Sequence, residues 1–129
     1  MNKENEQKLF NRFDFFHPER SIKDSLMAFG FECGDGWYSL IWELCEDIET
    51  ALKNDTANEA TDFPFRVMQV KEKYGGLRFY TNWGTDEIFA LIDTAEEKST
   101  EICEICGKPG ELNKSGWLST RCEEHRRNR

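Results

Sequence analysis

Cys103-Glu104-Ile105-Cys106-Gly107, with Cys122-Glu123-Glu124-His125 further on, is the stretch that decides how this chain is read. Two pairs of soft donors, each pair separated by two residues, match the ligand set of one tetrahedral zinc ion. Disulfides are the competing explanation and fit poorly, because five cysteines is an odd number and a histidine has no place in such a framework. Gly107 permits the backbone to curl around a metal directly after the first pair. Pro109-Gly110 and Lys114-Ser115-Gly116 bracket a short run at 111–113, and a second run covers 117–120, so a small hairpin is expected between the ligand pairs. Cys122 and His125 then fall in the first turn of a C-terminal helix, whose positive end favours a thiolate.

Knuckle, hairpin and ligand-bearing helix together resemble a treble-clef zinc finger over the last 27 or so residues. Cys103, Cys106, Cys122 and His125 fill a tetrahedral shell and leave no open position for water or substrate, so one structural zinc per chain is expected. Three thiolates and a neutral imidazole around a dication carry a formal charge of −1, which Arg121, Arg126 and Arg127 are placed to offset. The segment has few apolar residues of its own and needs the metal to fold.

Outward from this module, residues 1–100 read as an α+β domain of helices packed on a small antiparallel hairpin, with the zinc module of 101–129 packed against it. The clearest helix carries Trp37, Leu40, Ile41, Leu44, Cys45, Ile48, Ala51 and Leu52 on one stripe. Its other side holds Glu43, Glu46, Asp47 and Glu49. Two shorter helices are expected at 5–16 and 22–29, stopped before Pro18 and at Gly30. Asp35, in Gly34-Asp35-Gly36, is expected to cap the long helix that follows. Residues 53–62 read as an exposed loop. Thr85 should cap a helix running to Ser99, with Ile88, Leu91, Ile92 and Ala95 buried.

Val70-Lys-Glu-Lys-Tyr-Gly-Gly-Leu-Arg-Phe-Tyr80 is a hairpin. With Gly75-Gly76 as the turn, Tyr74 faces Leu77, Lys73 faces Arg78, Glu72 faces Phe79 and Lys71 faces Tyr80. One face then gathers Met68, Val70, Tyr74, Leu77 and Phe79, with Glu72 as the exception. The other gathers Lys71, Lys73, Arg78 and Tyr80. Like charges across a hairpin repel by a few tenths of a kcal/mol or so. Relief comes from the protein's own carboxylates or from an external anion, a nucleotide or nucleic acid, with Tyr80 available for stacking. Elsewhere His17 reads as a surface histidine, Cys45 as a buried inert thiol, and Cys33 as a thiol facing solvent without an activating base.

A net charge of −8 argues against indiscriminate nucleic-acid binding. It is unevenly spread: 11 Lys/Arg stand against 20 Asp/Glu up to residue 100, and six against five beyond it. The acidic body suits a basic protein partner, and Glu43, Glu46 and Asp47 are the residues assigned to that contact. No apolar run approaches the ~20 residues of a membrane span, and residues 1–8 lack a signal peptide's apolar core, so a cytoplasmic protein without membrane contact is expected. No nucleophile-elbow, phosphate-loop or His-Glu-x-x-His sequence occurs, and no enzyme is predicted.

Gly30-Phe-Glu-Cys-Gly-Asp-Gly-Trp37, the hairpin stretch 70–80 and the Cys-x-x-Cys-Gly…Cys-x-x-His tail together resemble a family of small phage and prophage proteins, over about residues 25–126. That family carries no assigned activity. The resemblance implies a bacterial host cytoplasm and, by analogy with other small phage proteins, a host protein as partner.

Overall fold

A computed structural model describes residues 1–54, 64–114 and 116–126. Most of the expected loop at 53–62, together with Ser115 and Arg127, lies outside those residues. Among them the chain is mixed helix and sheet, as expected. The elements that organise it are α1 (Lys3–Arg12), β1 (Phe31–Glu32), α2 (Tyr38–Lys53), β2 (Val67–Lys73), β3 (Gly76–Thr81), α3 (Asp86–Ser99), β4 (Glu111–Asn113), β5 (Ser119–Arg121) and a single turn, α4 (Glu123–Arg126). β1, β2 and β3 form one sheet in that order, β1 parallel and β3 antiparallel to β2, while β4 and β5 form a separate antiparallel pair.

The long helix forms where its apolar stripe demands. Leu40, Ile41, Leu44, Cys45, Ile48 and Ala51 are buried, and α2 packs on α3, whose own stripe buries Ile88, Ile92 and Ala95. Thr85 caps α3 by accepting a hydrogen bond from Ile88 N at 3.2 Å. Side chains of α3 also close the open edge of β3. Ser99 Oγ accepts from Leu77 N at 2.9 Å, and Glu96 accepts from Phe79 N at 3.0 Å. An edge strand whose N–H groups are already paired is a poor template for another chain.

Three expectations about elements need correcting. The first helix ends at Arg12, not at 16, and Phe13 is extended. A helix through this stretch would point Phe15 away from Phe13 and Phe16. Instead the chain turns at residues 14 and 15 and buries all three rings, and Phe15 O accepts from Val67 N. Residues 22–29 form turns and a short 3-10 helix at Met27–Phe29, because Met68 O on β2 accepts from Leu26 N at 2.8 Å and from Ser25 Oγ at 3.3 Å. Local helix lost to tertiary pairing there, and Ile22, Leu26 and Phe29 are left outward. Asp35 does not cap α2. Its Oδ1 accepts from Asn2 N and Asn5 Nδ2, at the start of α1.

The hairpin register is also displaced. The turn is Tyr74-Gly75, with φ of 54° and 84°, and the pairs are Lys73 with Gly76, Glu72 with Leu77, Lys71 with Arg78 and Gln69 with Tyr80. Moving the turn by one residue changes every partner by two positions. Side chains therefore keep their faces, and Lys71, Lys73, Arg78 and Tyr80 still share one. Tyr74 leaves the apolar face and becomes exposed. The shift follows from packing. Gly76 is buried beside Thr100, and Thr120 Oγ1 on β5 donates to Gly75 O at 2.6 Å, pinning that residue as the turn.

A tyrosine at positive φ costs about 1 kcal/mol that asparagine largely avoids. Tyr74→Asn should therefore raise unfolding stability by about that amount in chemical denaturation. In a Gly75-Gly76 turn, position 74 would be a strand residue, and the same change would lower stability.

Candidate metal centre

Cys103, Cys106, Cys122 and His125 come together from three places: the loop after α3, the end of β5 and the first turn of α4. Their ligand atoms all lie within 4.8 Å of one another. Cys106 Sγ is 3.7 Å from Cys122 Sγ, and His125 Nδ1 is 3.2 Å from Cys122 Sγ and 3.5 Å from Cys103 Sγ. Tetrahedral bonds of about 2.3 Å to sulfur and 2.0–2.1 Å to nitrogen give edges of about 3.8 Å and 3.5 Å. The spacing fits such an ion, and Nδ1 is the nitrogen presented to it. The cluster can hold a metal ion.

The backbone prepares the sulfurs. Gly107, at φ 82°, turns the chain so that its N–H donates to Cys103 O at 2.9 Å, while Cys103 N donates to Lys108 O. Burial opposes a thiolate at Cys103. Hydrogen bonds from the N–H groups of Cys122, Cys106 and Ile105, with the Cys106 thiol, outweigh it and bring that thiol down to about 6. Cys106 is exposed, and its thiol is held above the ordinary value: the Lys108 N–H favours the thiolate, but desolvation and the neighbouring sulfurs oppose it. A bound dication would override these differences and hold all three as thiolates.

The knuckle is carried by the chain ahead of α2. Gly36 N donates to Glu104 O at 2.7 Å, Gly34 N to a Glu104 carboxylate oxygen at 2.9 Å, and Trp37 Nε1 to Ile102 O at 2.9 Å. A Cβ on Gly36 would collide with Cys103 O, and one on Gly34 with Glu104 O. The Gly34-Asp35-Gly36-Trp37 stretch is thus the seat of the metal loop, a role the sequence reading missed. Its only signal was two glycines flanking one residue, ahead of a tryptophan. Burial on this seat raises the Glu104 carboxyl.

Other expected site residues divide clearly. Lys71 and Arg78 stand directly opposite, and Arg78 Nη1 donates to its neighbour Leu77 O at 2.9 Å. Lys73 Nζ lies 5.5 Å from the centre of the Tyr74 ring, and Tyr80 is partly exposed. Glu43, Glu46 and Asp47 are exposed on α2, while Glu49 is engaged by Arg12 at 2.9 Å and Lys53 at 3.8 Å. Glu43 lines a cleft of about 390 Å³ that reaches Lys98, Cys106 and Gly107, so the acidic face adjoins the metal loop. Arg126 does not serve the sulfurs alone, since it pairs with Glu111 at 3.3 Å. Cys33 is buried rather than facing solvent, and burial pushes its thiol up to about 12. Burial likewise raises Cys45. His17 pairs with Glu19 at 3.1 Å. Among the described residues no helix is long and apolar enough to cross a membrane.

Comparison of the chain with protein-family models, with curated proteins and with solved structures finds no match.

Cys103→Ser should abolish stoichiometric metal retention after dialysis, whereas Cys45→Ser, remote from the cluster, should keep it. Protons compete with the metal, so affinity falls as pH falls. Above about pH 6 Cys103 is already a thiolate. Competition against a chromophoric chelator should therefore show the slope of log affinity against pH steepen by about one proton as pH drops through about 6.

Proposed function

We propose that this chain is a non-enzymatic, zinc-stapled binding protein acting through a basic protein partner. The support for zinc is the donor set: three thiolates and one imidazole at tetrahedral spacing suit a structural zinc better than any hard cation. With four protein donors the ion has no vacant position, and what it supplies is cross-linking of a segment too small to hold a core. A treble-clef arrangement is our reading of this knuckle, short hairpin and ligand-bearing turn.

The observation that carries the partner reading is the exposed row Glu43, Glu46 and Asp47 on a helix whose opposite stripe is fully packed. The row stands on a chain of net charge −8. Basic surfaces, including those of proteins that themselves bind nucleic acid, are its complement. The sequence resemblance to phage proteins makes a bacterial host protein in the cytoplasm the partner we favour. A second reading rests on the Lys71–Arg78 apposition, which leaves two cations side by side on the outer face of the hairpin: this face takes an anionic ligand, a nucleotide or nucleic acid.

Pull-down from bacterial lysate should retrieve a specific basic protein, and the triple change Glu43→Gln, Glu46→Gln, Asp47→Asn should cut that capture about tenfold or more while leaving zinc content at one per chain. Undiminished capture by the triple variant would remove the acidic face from the interface.

A further inference from the structure

Two features at one end of the molecule are unaccounted for by the staple or by the acidic helix. Tyr74 is a two-thirds exposed aromatic held at φ 54°, where glycine or asparagine is the ordinary occupant. Trp117, in the loop between β4 and β5, is 80% exposed. The two rings line one open cleft of about 420 Å³, together with Glu72, Lys73, Gly116 and Leu118. Packing imposes the positive φ but does not call for an aromatic side chain at it, and a ring presented to water there points to use.

The cleft is preformed. Its two walls belong to different hairpins, joined where Thr120 Oγ1 donates to Gly75 O at 2.6 Å and where Leu112 packs on Gly75. Both joining residues lie on β4 and β5, which the Cys/His cluster brackets. The ligand-bearing segments thus set where Trp117 stands relative to Tyr74.

Charge selects the occupant. The single carboxylate in the lining, Glu72, is occupied by Gly75 N at 2.7 Å. Lys73 lies over the Tyr74 ring, and Lys71, Arg78 and Tyr80 continue along the same face of the hairpin behind it, with Glu32 of β1 in register beside Lys71. Lys114 precedes the Trp117 loop and is exposed. Aromatics at both ends of a short run of cations present stacking surfaces for bases and counter-charges for phosphates. A proline-rich peptide would use the rings but not the cations. Duplex DNA offers no unpaired base to either ring.

We infer that the Tyr74–Trp117 cleft binds a single-stranded nucleic acid segment, stacking an unpaired base on the two rings while Lys73, Lys71 and Arg78 meet its phosphates. This deepens the second reading above and rests on it. Local cations work against a net charge of −8, so the binding is modest and sensitive to salt.

Trp117 is its own reporter, because Trp37 is buried and Trp42 and Trp83 are half-buried. Zinc-loaded protein titrated with oligothymidylate at low salt should lose tryptophan emission, and Trp117→Ala should abolish that quenching. Binding of the labelled oligonucleotide, followed by anisotropy, should weaken roughly 20-fold between about 50 and 200 mM salt if three cations meet phosphates. Tyr74→Asn should weaken it about tenfold, although the same change strengthens the fold, so loss of structure cannot explain the loss of binding. If Lys73→Glu/Arg78→Glu weakens binding while Tyr74→Asn and Trp117→Ala do not, the cleft is wrong and the anion reading survives. No binding of the oligonucleotide or of ATP would end both. Preference for a duplex of equal length, or quenching by a proline-rich peptide alone, would overturn the cleft's assignment.

Discussion

The contact on which the rest depends is the backbone seam between Gly34–Trp37 and Ile102–Glu104. Three hydrogen bonds cross it, from Gly36 N, Gly34 N and Trp37 Nε1, and two glycines give the knuckle room to approach. Trp37 is fully buried on one side and bonded to the metal loop on the other. It fastens the start of α2 to the Cys/His segment. A staple closing only the C-terminal residues would stabilise only them. The loop is also seated on the body, which ties the Cys/His cluster to the helix and, through Thr120 and Gly75, to the hairpin.

The Thr120–Gly75 link explains why the tip of the hairpin holds Tyr74 at a positive φ. Gly75 is held as the second turn residue by β5 and Leu112, so residue 74 has no choice of conformation. Anything other than glycine or asparagine there is a net loss for folding. The loss is small beside a domain's usual stability of 5–15 kcal/mol or so, and a protein can carry it where the ring is needed outside.

Much of this molecule was legible from residue pattern. The helical stripes of α2 and α3, the Thr85 cap, and the two pairs Cys103/Cys106 and Cys122/His125 all followed from local rules, since each depends on neighbours within a few positions in sequence. The failures were local rules overruled by distant partners. Phe13 to Phe16 had helical spacing but three rings to bury in one aromatic core. Residues 22–29 had a helix stop at Gly30 but a carbonyl on β2 to satisfy. Gly75-Gly76 was the better turn by composition, yet Gly76 was needed in the strand beside Thr100.

By itself the sequence determined the candidate metal donors, the amphipathic helices, the basic face of the hairpin and the acidic side of α2, because residue spacing alone decides which side chains share a face. Only the tertiary structure decided that Gly34 and Gly36 seat the metal loop, that the turn is Tyr74-Gly75, and that Tyr74 and Trp117 meet across a cleft. Each of these joins residues more than 25 positions apart, and no periodicity encodes such a meeting. It arises when buried backbone groups with one available partner pull separate segments into contact.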